Sequence, residues 1–304
     1  MSKSVKDPGF GAKTSGFAGR MINNDGSFNI ERKNSPVRVF DAYHYLINLS
    51  WRLFFLWSCL AFFVSNLCFS IIYLALGVKC INAIPNGFLN DLSQAFFFSV
   101  QTSTSLGYGA LAPTTVLSGA ISSFEAFVGL VMFAFLTGLI YGRFSKPKAS
   151  IRFSKHIVYC DFNLAQAIMF RVVNNRSSVM IKPKVTVTLS LTSLDNEQQL
   201  KRNFYNLDLE RDSITYLPTT WTIVHEIGED SPLHQFSKEE LIQQNGELLI
   251  MVTYFDESFN QEVHQMYSYE LNEILLNRKF KQAYTYNNSG QMVLDYNLFD
   301  ELES

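Results

Sequence analysis

The chain has 304 residues, of which 25 are basic and 27 acidic, and its formal net charge of −2 gives no basic surface for nucleic acid. Charged residues make up 17% of the sequence and hydrophobic ones 47%, and the charged residues between Leu53 and Gly142 are Lys79, Asp91 and Glu125. An apolar block of this kind excludes a disordered protein, a secreted soluble protein and an ordinary cytosolic enzyme.

The N-terminal residues 1–35 are rich in Gly, Ser, Asn and Lys and lack an apolar run. We therefore expect a flexible cytoplasmic segment and no signal peptide. Residues 36–50 begin with Pro36 and place Val39, Tyr43, Leu46 and Ile47 on one helical face. This pattern predicts an amphipathic slide helix at the membrane interface.

Two apolar runs are long enough to cross a bilayer as helices. Residues 53–76 carry no charge, and a helix of that length covers ~36 Å, more than the ~30 Å hydrocarbon core. Residues 116–144 are similar, with Glu125 as the one acidic residue. The alternative is a pair of buried helices in a large soluble protein. Basic residues flank both outer ends, which predicts a multi-pass protein of the cell (inner) membrane with both termini in the cytoplasm.

Between the two runs, residues 90–104 are apolar but too short to cross a membrane. They predict a pore helix that enters the bilayer and ends halfway. The broken backbone after such a helix is tolerated in a bilayer only when other protein surrounds it. Two spans in one chain cannot surround it, so we expect an oligomer.

The segment directly after this helix reads SLGYG. Glycines at alternate positions allow successive carbonyl groups to turn to one side, and stacked carbonyl rings replace the hydration shell of K⁺. The alternative is a chance turn in a loop. The position between two spans favours a selectivity filter formed by Ser105, Leu106, Gly107, Tyr108 and Gly109.

From Ile151 onward the hydrophobic pattern changes to a period of two. Residues 184–191, 220–224 and 247–254 alternate between apolar and polar side chains and are separated by turn-forming stretches. Ser237 and Glu240 form a capping-box pattern, which predicts one short helix. Residues 149–304 are therefore expected to form an all-β sandwich.

With these motifs the chain resembles the inward-rectifier potassium channel family, and most closely its bacterial branch. The resemblance is carried by the filter and by ordered matches such as Trp51-Arg52, Arg143 to Lys148 and Met169 to Val172. It implies a homotetramer in which residues 51–148 form the transmembrane pore and residues 149–304 form an immunoglobulin-like cytoplasmic domain. It also implies a passive K⁺ channel that needs no cofactor and is not an enzyme.

The filter departs from the family pattern, which usually begins with Thr followed by Val or Ile. Ser105 keeps the hydroxyl of the innermost ion site, but Leu106 changes the packing behind it. We expect K⁺ selectivity with weaker exclusion of Na⁺. Thr104 and Glu125 are the residues expected to support the filter. A pore-facing, ion-binding role is the alternative for Glu125.

The resemblance assigns the second span its gating elements. Tyr141 matches the position of a bulky gate, although an interfacial anchor is the alternative. Phe133 and Thr137 are expected to line the cavity, with plain packing as the alternative for Phe133. Gly129 and Gly138 are candidate hinges, and close helix packing is the alternative for both.

Two further sets of residues are expected to modulate the channel. Basic residues at the membrane surface are candidates for binding anionic lipid headgroups, with simple positive-inside flanking as the alternative; they are Arg52, Arg143, Lys146 and Lys148. His264 and Met266 match a loop that narrows the cytoplasmic pore, and for His264 a solvated side chain is the interpretation that the sequence favours over a pH sensor.

The leading hypothesis is an inward-rectifier-type K⁺ channel gated at the inner helix bundle and modulated by anionic lipids. Because Phe133 attracts no cations, any block by Mg²⁺ or polyamines would depend on acidic residues of the cytoplasmic vestibule. The alternatives are a weakly selective monovalent cation channel and a membrane-anchored binding or signalling protein with a vestigial pore.

Overall fold

The computed structural model describes residues 4–11, 19–34, 42–147, 149–163, 165–176, 179–194 and 199–303. The chain divides into a helical unit, Ser35–Lys146, and a β-rich unit that combines Met1–Asn34 with Pro147–Ser304.

The helical unit contains the two spans and the short helix between them. Its elements are α1 (Ala42–Asn48), α2 (Trp51–Leu76), a 3₁₀ turn (Val78–Ile81), α3 (Phe88–Ser103) and α4 (Val116–Phe144). Helices α2 and α4 are long and apolar enough to cross a membrane, with mean hydropathies of 2.2 and 2.0. The first part of the expected slide helix, residues 36–41, lies outside the described residues.

Local sequence signals set the helix ends. The Ser50 side chain accepts a hydrogen bond from the Leu53 amide at the start of α2, and Gly77, with φ of 83°, ends that helix. A reciprocal capping box between Thr115 and Ser118 starts α4. A small apolar cluster around Tyr73, Ile81 and Phe98 holds α2, the 3₁₀ turn and α3 together.

The β-rich unit is a sandwich of two five-stranded sheets, which confirms the predicted all-β fold. The first sheet has the order β1 (Ser4–Val5), β6 (Leu200–Asn206), β5 (Met180–Leu194), β8 (Gly246–Asp256) and β9 (Gln261–Glu270). In the second sheet, β4 (Ala165–Asn174) pairs with β2 (Ile151–Phe153), β3 (Ile157–Phe162) and β7 (Thr220–Glu226), and β10 (Ile274–Leu276) runs parallel to β3. A hairpin of β11 (Tyr284–Tyr286) and β12 (Met292–Leu294) follows.

The core of the sandwich lies between the two sheets and comes from alternate residues of each strand. In β5, Val185, Val187 and Leu189 are buried, whereas the intervening threonines are partly exposed. Ile168 and Phe170 of β4 belong to the same core from the opposite sheet. The short helix α5 (Lys238–Gln243) begins with the predicted capping box between Ser237 and Glu240.

Part of the N-terminal segment is docked on the first sheet, so the prediction of a flexible terminus is wrong for this stretch. The buried carboxylate of Glu247 accepts hydrogen bonds from the Met21 amide at 2.8 Å and the Ile22 amide at 3.3 Å. Ser268 Oγ donates to the Ile22 carbonyl at 2.8 Å. Ile22 is 3% exposed because it enters an apolar cluster of this sheet. These long-range contacts are invisible in the composition that suggested flexibility.

Candidate ion-conduction site

Helix α3 directly precedes the filter and positions it. Its 16 residues cover about 24 Å, which is shorter than the ~30 Å hydrocarbon core. The helix ends at Ser103, and the Thr104 hydroxyl donates to the Val100 carbonyl at 2.6 Å. The same carbonyl accepts from the Thr104 amide at 3.1 Å, so both donors of Thr104 close the last turn of the helix directly before the filter begins.

The filter backbone alternates in handedness. Ser105, Gly107 and Gly109 have positive φ angles of 57°, 53° and 82°, whereas φ is not positive at Leu106 and Tyr108 between them. In a regular strand successive carbonyls point to opposite sides, but this alternation turns them to the same side. The left-handed region is costly for Ser105, which has a side chain, and Gly supplies it without strain at the other two positions. Four such segments around an axis would make stacked rings of carbonyl oxygens.

All five filter residues are exposed in the single chain, and Tyr108 is 73% exposed. Helices α2 and α4 are also largely exposed in the single chain, with four buried residues each among 26 and 29. A backbone of this kind at membrane depth needs surrounding protein. The exposed surfaces are therefore those that lipid and further copies of the chain would cover.

A chain of buried polar side chains, which we call the polar chain, joins α2, α3 and α4 behind the filter. The Tyr73 hydroxyl donates to Glu125 Oε2 at 2.7 Å, and Ser99 Oγ is hydrogen-bonded to Glu125 Oε1. Asn66 Oδ1 accepts from Ser99 at 3.0 Å and from Ser103 at 2.8 Å. Sequence reasoning singled out Glu125 but missed the others. The signal was present, because Asn66 is the one side-chain amide in a span without charges.

The structure places Gly129 against the end of α3. A Cβ built at Gly129 lies 2.1 Å from the Ser103 carbonyl oxygen, whereas a Cβ at Gly138 meets nothing within 4 Å. Helix α4 runs without interruption through both positions. Gly129 therefore permits close approach of two helices, which is the packing alternative to a hinge.

Phe133, Thr137 and Tyr141 lie on one face of α4, because residues four apart in a helix are neighbours. Phe133 and Tyr141 are 71% and 74% exposed, and the Thr137 hydroxyl donates to the Phe133 carbonyl at 2.9 Å. This open face is free to line a cavity shared between copies.

Arg143 has a structural role that differs from the predicted lipid contact. Its guanidinium donates to the carbonyls of Leu46 at 2.7 Å, Ile47 at 3.0 Å and Leu49 at 2.6 Å, where α1 ends. The same group lies 4.5 Å from the ring centroid of Trp51. A guanidinium engaged in this way joins the end of α4 to the α1–α2 connection and has little capacity left for a headgroup.

The other predicted lipid-binding residues differ in their surroundings. Arg52 is exposed at the start of α2. Lys146 is also exposed, and its ammonium donates to the Asn48 side chain at 2.5 Å. Lys148 lies outside the described residues.

His264 and Met266 were expected on a loop, and this expectation is wrong. Both lie within strand β9, where His264 is opposite Thr253 and Met266 is opposite Met251 of β8. The turn that joins the two strands lies earlier, at residues 257–260. His264 is exposed, and its Nδ1 is 3.2 Å from the Thr253 hydroxyl. The alternation of the strand, rather than loop flexibility, decides where these side chains point.

Comparison with known proteins covers both units. Residues 22–147 match the family described as "Inward rectifier potassium channel transmembrane domain", and residues 151–304 match "Inward rectifier potassium channel C-terminal domain". The chain is 34% identical over 285 residues to "Inward rectifier potassium channel Kirbac3.1" of Paramagnetospirillum magnetotacticum, with 93% of this chain and 95% of that protein covered. It is 26% identical over 308 residues to "ATP-sensitive inward rectifier potassium channel 12" of Gallus gallus, covering 92% and 70%.

Proposed function

The chain belongs to the inward-rectifier potassium channel family, and from this premise we propose that it forms a homotetramer with one central pore. It is a membrane ion channel rather than an enzyme, and K⁺ is its permeant ion. Four copies surround the half-crossing α3 helices and satisfy the requirement that broken backbone at membrane depth be enclosed by protein.

The alternating backbone of Ser105, Gly107 and Gly109 is the observation that supports conduction through the filter. Stacked rings of carbonyl oxygens bind dehydrated K⁺, and the α3 C-terminus adds a partial negative charge below them. Because Leu106 lacks β-branching and Ser105 lacks a methyl group, we propose that Na⁺ is excluded less strictly than by a Thr-Val filter.

We propose that Tyr141 gates the pore on the cytoplasmic side of the cavity face of α4. Its 74% exposure in the single chain supports this role, because a ring of four such side chains would meet on the axis and exclude water. Tyr141→Ala is expected to raise basal flux. Unchanged flux in an assembled tetramer would favour an interfacial anchor instead.

Anionic lipid headgroups are proposed to bind near Arg52, Lys146 and Lys148, each of which adds about 1 kcal/mol of attraction at a membrane surface. Arg143 is left out of this set because its guanidinium is bound to three backbone carbonyls. Basic residues at both outer ends of the spans support cytoplasmic N- and C-termini. Phe133 offers no charge to Mg²⁺ or polyamines, so any such block depends on the cytoplasmic domain.

The decisive experiment is K⁺-driven ⁸⁶Rb⁺ uptake into proteoliposomes, with Ba²⁺ as blocker and Na⁺ as competitor. A K⁺ channel gives uptake that Ba²⁺ blocks and that Na⁺ competes with only weakly. Equal competition by Na⁺ and K⁺ would instead indicate a weakly selective cation channel. A complete lack of Ba²⁺-sensitive uptake would favour a membrane-anchored binding protein with a vestigial pore.

A further inference from the structure

The polar chain behind the filter contains more hydrogen-bond contacts than hydrogens, if Glu125 is ionised. Asn66 Nδ2 donates to the Phe62 carbonyl at 2.7 Å, which fixes the amide orientation and leaves Oδ1 facing Ser99 and Ser103. Oδ1 is purely an acceptor. The Tyr73 hydroxyl is already used on Glu125 Oε2.

The shortage of hydrogens falls on the Ser99 hydroxyl. Its hydroxyl carries one hydrogen and lies against two acceptors, Asn66 Oδ1 at 3.0 Å and Glu125 Oε1. If the hydrogen goes to the carboxylate, the contact between Ser99 and Asn66 brings two lone pairs together. If the hydrogen goes to Asn66, the lone pairs of the Ser99 hydroxyl and of the ionised Glu125 carboxylate are brought together instead. A proton on Glu125 Oε1 resolves this, because it donates to Ser99 Oγ while Ser99 donates to Asn66.

The surroundings of Glu125 also favour the neutral form. The residue is 0% exposed, and among the described residues no salt bridge involves it. Its described hydrogen-bond partners are hydroxyl groups on α2 and α3. A buried carboxylate without a cation is far more costly than a buried carboxylic acid whose hydrogen bonds are all made.

With Glu125 protonated, the polar chain acts on the part of α3 that holds the filter. Ser99 and Ser103 lie in its C-terminal half, and Ser103 is separated from the first filter residue by Thr104 alone. Asn66 holds both hydroxyls from α2, while Glu125 holds Ser99 from α4. Any rotation or withdrawal of α3 breaks several of these bonds together.

We propose that Glu125 is protonated and that it acts with Asn66 and Ser99 as a set of positioning residues that hold the pore helix, and hence the filter, in register. This inference rests on the proposed K⁺ conduction for its consequence, but its chemical content, a neutral acid in a closed hydrogen-bond chain, does not depend on flux.

The protonation state is tested directly by infrared difference spectroscopy of the wild-type tetramer minus Glu125→Gln at neutral pH. The carboxyl groups common to both proteins cancel. We expect a carbonyl stretch of a protonated carboxylic acid in the wild type. Carboxylate bands in its place would overturn the proposal. Glutamine has an NH₂ for Ser99 and a carbonyl for Tyr73, so failure of this variant to assemble would also contradict it.

The positioning role is tested by two serine substitutions on α3. Ser99→Ala removes the central hydroxyl, whereas Ser93→Ala removes one that, among the described residues, bonds the Asn90 carbonyl of its own helix alone, at 2.8 Å. Ser99→Ala breaks the hydrogen bonds to both Glu125 and Asn66, so we expect it to lower the K⁺/Na⁺ selectivity by at least about two- to tenfold, the effect of losing a single buried hydrogen bond, and Ser93→Ala to leave it unchanged. Glu125→Gln keeps a donor for Ser99 and an acceptor for Tyr73, so it is expected to retain more of the selectivity than Glu125→Ala; equal loss in the two variants would overturn the positioning role.

Equal selectivity of Ser99→Ala and Ser93→Ala in assembled tetramers would overturn the positioning role. If the wild-type protein gave no Ba²⁺-sensitive flux at all, the proposed function would fail. The infrared measurement would still decide whether Glu125 is neutral. The two failures are therefore distinguishable.

Discussion

Replacing Gly129 with alanine is expected to disturb the filter, whereas the same change at Gly138 is not. A Cβ at Gly129 lies 2.1 Å from the carbonyl oxygen of Ser103, the last residue of α3. Gly138, further along the same helix, has nothing within 4 Å of its Cβ position. The pair separates helix packing from helix flexibility, because both substitutions remove a glycine from α4.

The size of the effect follows from the geometry. Ordinary contact begins at 3.4 Å, so the Ser103 carbonyl must recede from 2.1 Å by about 1.3 Å, or α4 must move by a similar distance. Overpacking of this kind costs about 1–3 kcal/mol. Removal of a glycine from a helix interior returns up to about 1 kcal/mol of helix propensity. We therefore expect Gly129→Ala to lower the free energy of unfolding by up to about 2 kcal/mol and Gly138→Ala to raise it slightly.

The assay combines thermal unfolding of the detergent-solubilised tetramer with ⁸⁶Rb⁺ uptake under Na⁺ competition. The Gly129→Ala tetramer should unfold at a lower temperature. Its ⁸⁶Rb⁺ uptake should be inhibited more strongly by Na⁺, because the shift of Ser103 reaches Ser105 directly. Gly138→Ala should retain both properties. Unchanged stability and unchanged selectivity in Gly129→Ala would refute the packing argument, and a fall in flux with selectivity intact would favour the hinge hypothesis for this residue.

Three further predictions concern the connections outside the filter. Arg143→Lys should lower the free energy of unfolding by roughly 2 kcal/mol, since a compact ammonium cannot reproduce the planar fork of two nitrogens that reaches three carbonyls. The exposed Arg52→Lys should change it little, and thermal unfolding compares the two variants. Burial holds the pKa of His225 below its usual value, so the unfolded chain takes up the proton first, and stability should decrease as pH falls below about 6.5; the decrease should be smaller in His225→Gln, measured by unfolding across pH. Glu247→Gln should release the docked N-terminal segment, because an amide NH₂ would face a backbone N–H donor. Proteolysis near Met21 should then be faster than in Glu240→Gln, the exposed control, and equal cleavage rates in the two variants would contradict the docking.

Much of the helical unit could be predicted from the sequence, because its signals are local. Residues 53–76 are charge-free, and the structure has helix α2 over Trp51–Leu76. Length, capping residues and hydropathy are enough to recognise a membrane-spanning helix in a sequence. The alternating strands of the β-unit were predictable for the same reason, since a period of two is written directly in the order of residues.

The errors arose where long-range contacts decide. The N-terminal stretch around Ile22 has a polar composition typical of a flexible tail, yet Glu247, far away in sequence, holds two of its amides. The segment of His264 was expected as a loop, but pairing with β8 makes it a strand. Composition reports what a segment can do alone, and neither outcome was determined by the segment alone.

Hydropathy, periodicity and glycine spacing were enough to predict the kinds of element and their order: two spans, a half-crossing helix, a filter with glycines at alternate positions and a β-sandwich. The contacts of the polar residues among these elements came from the tertiary fold. It placed Arg143 on the carbonyls that end α1 and brought Glu125 to Ser99 and Tyr73. Hydropathy and capping act between neighbours in sequence, whereas a buried polar group is stabilised only by partners that folding brings to it.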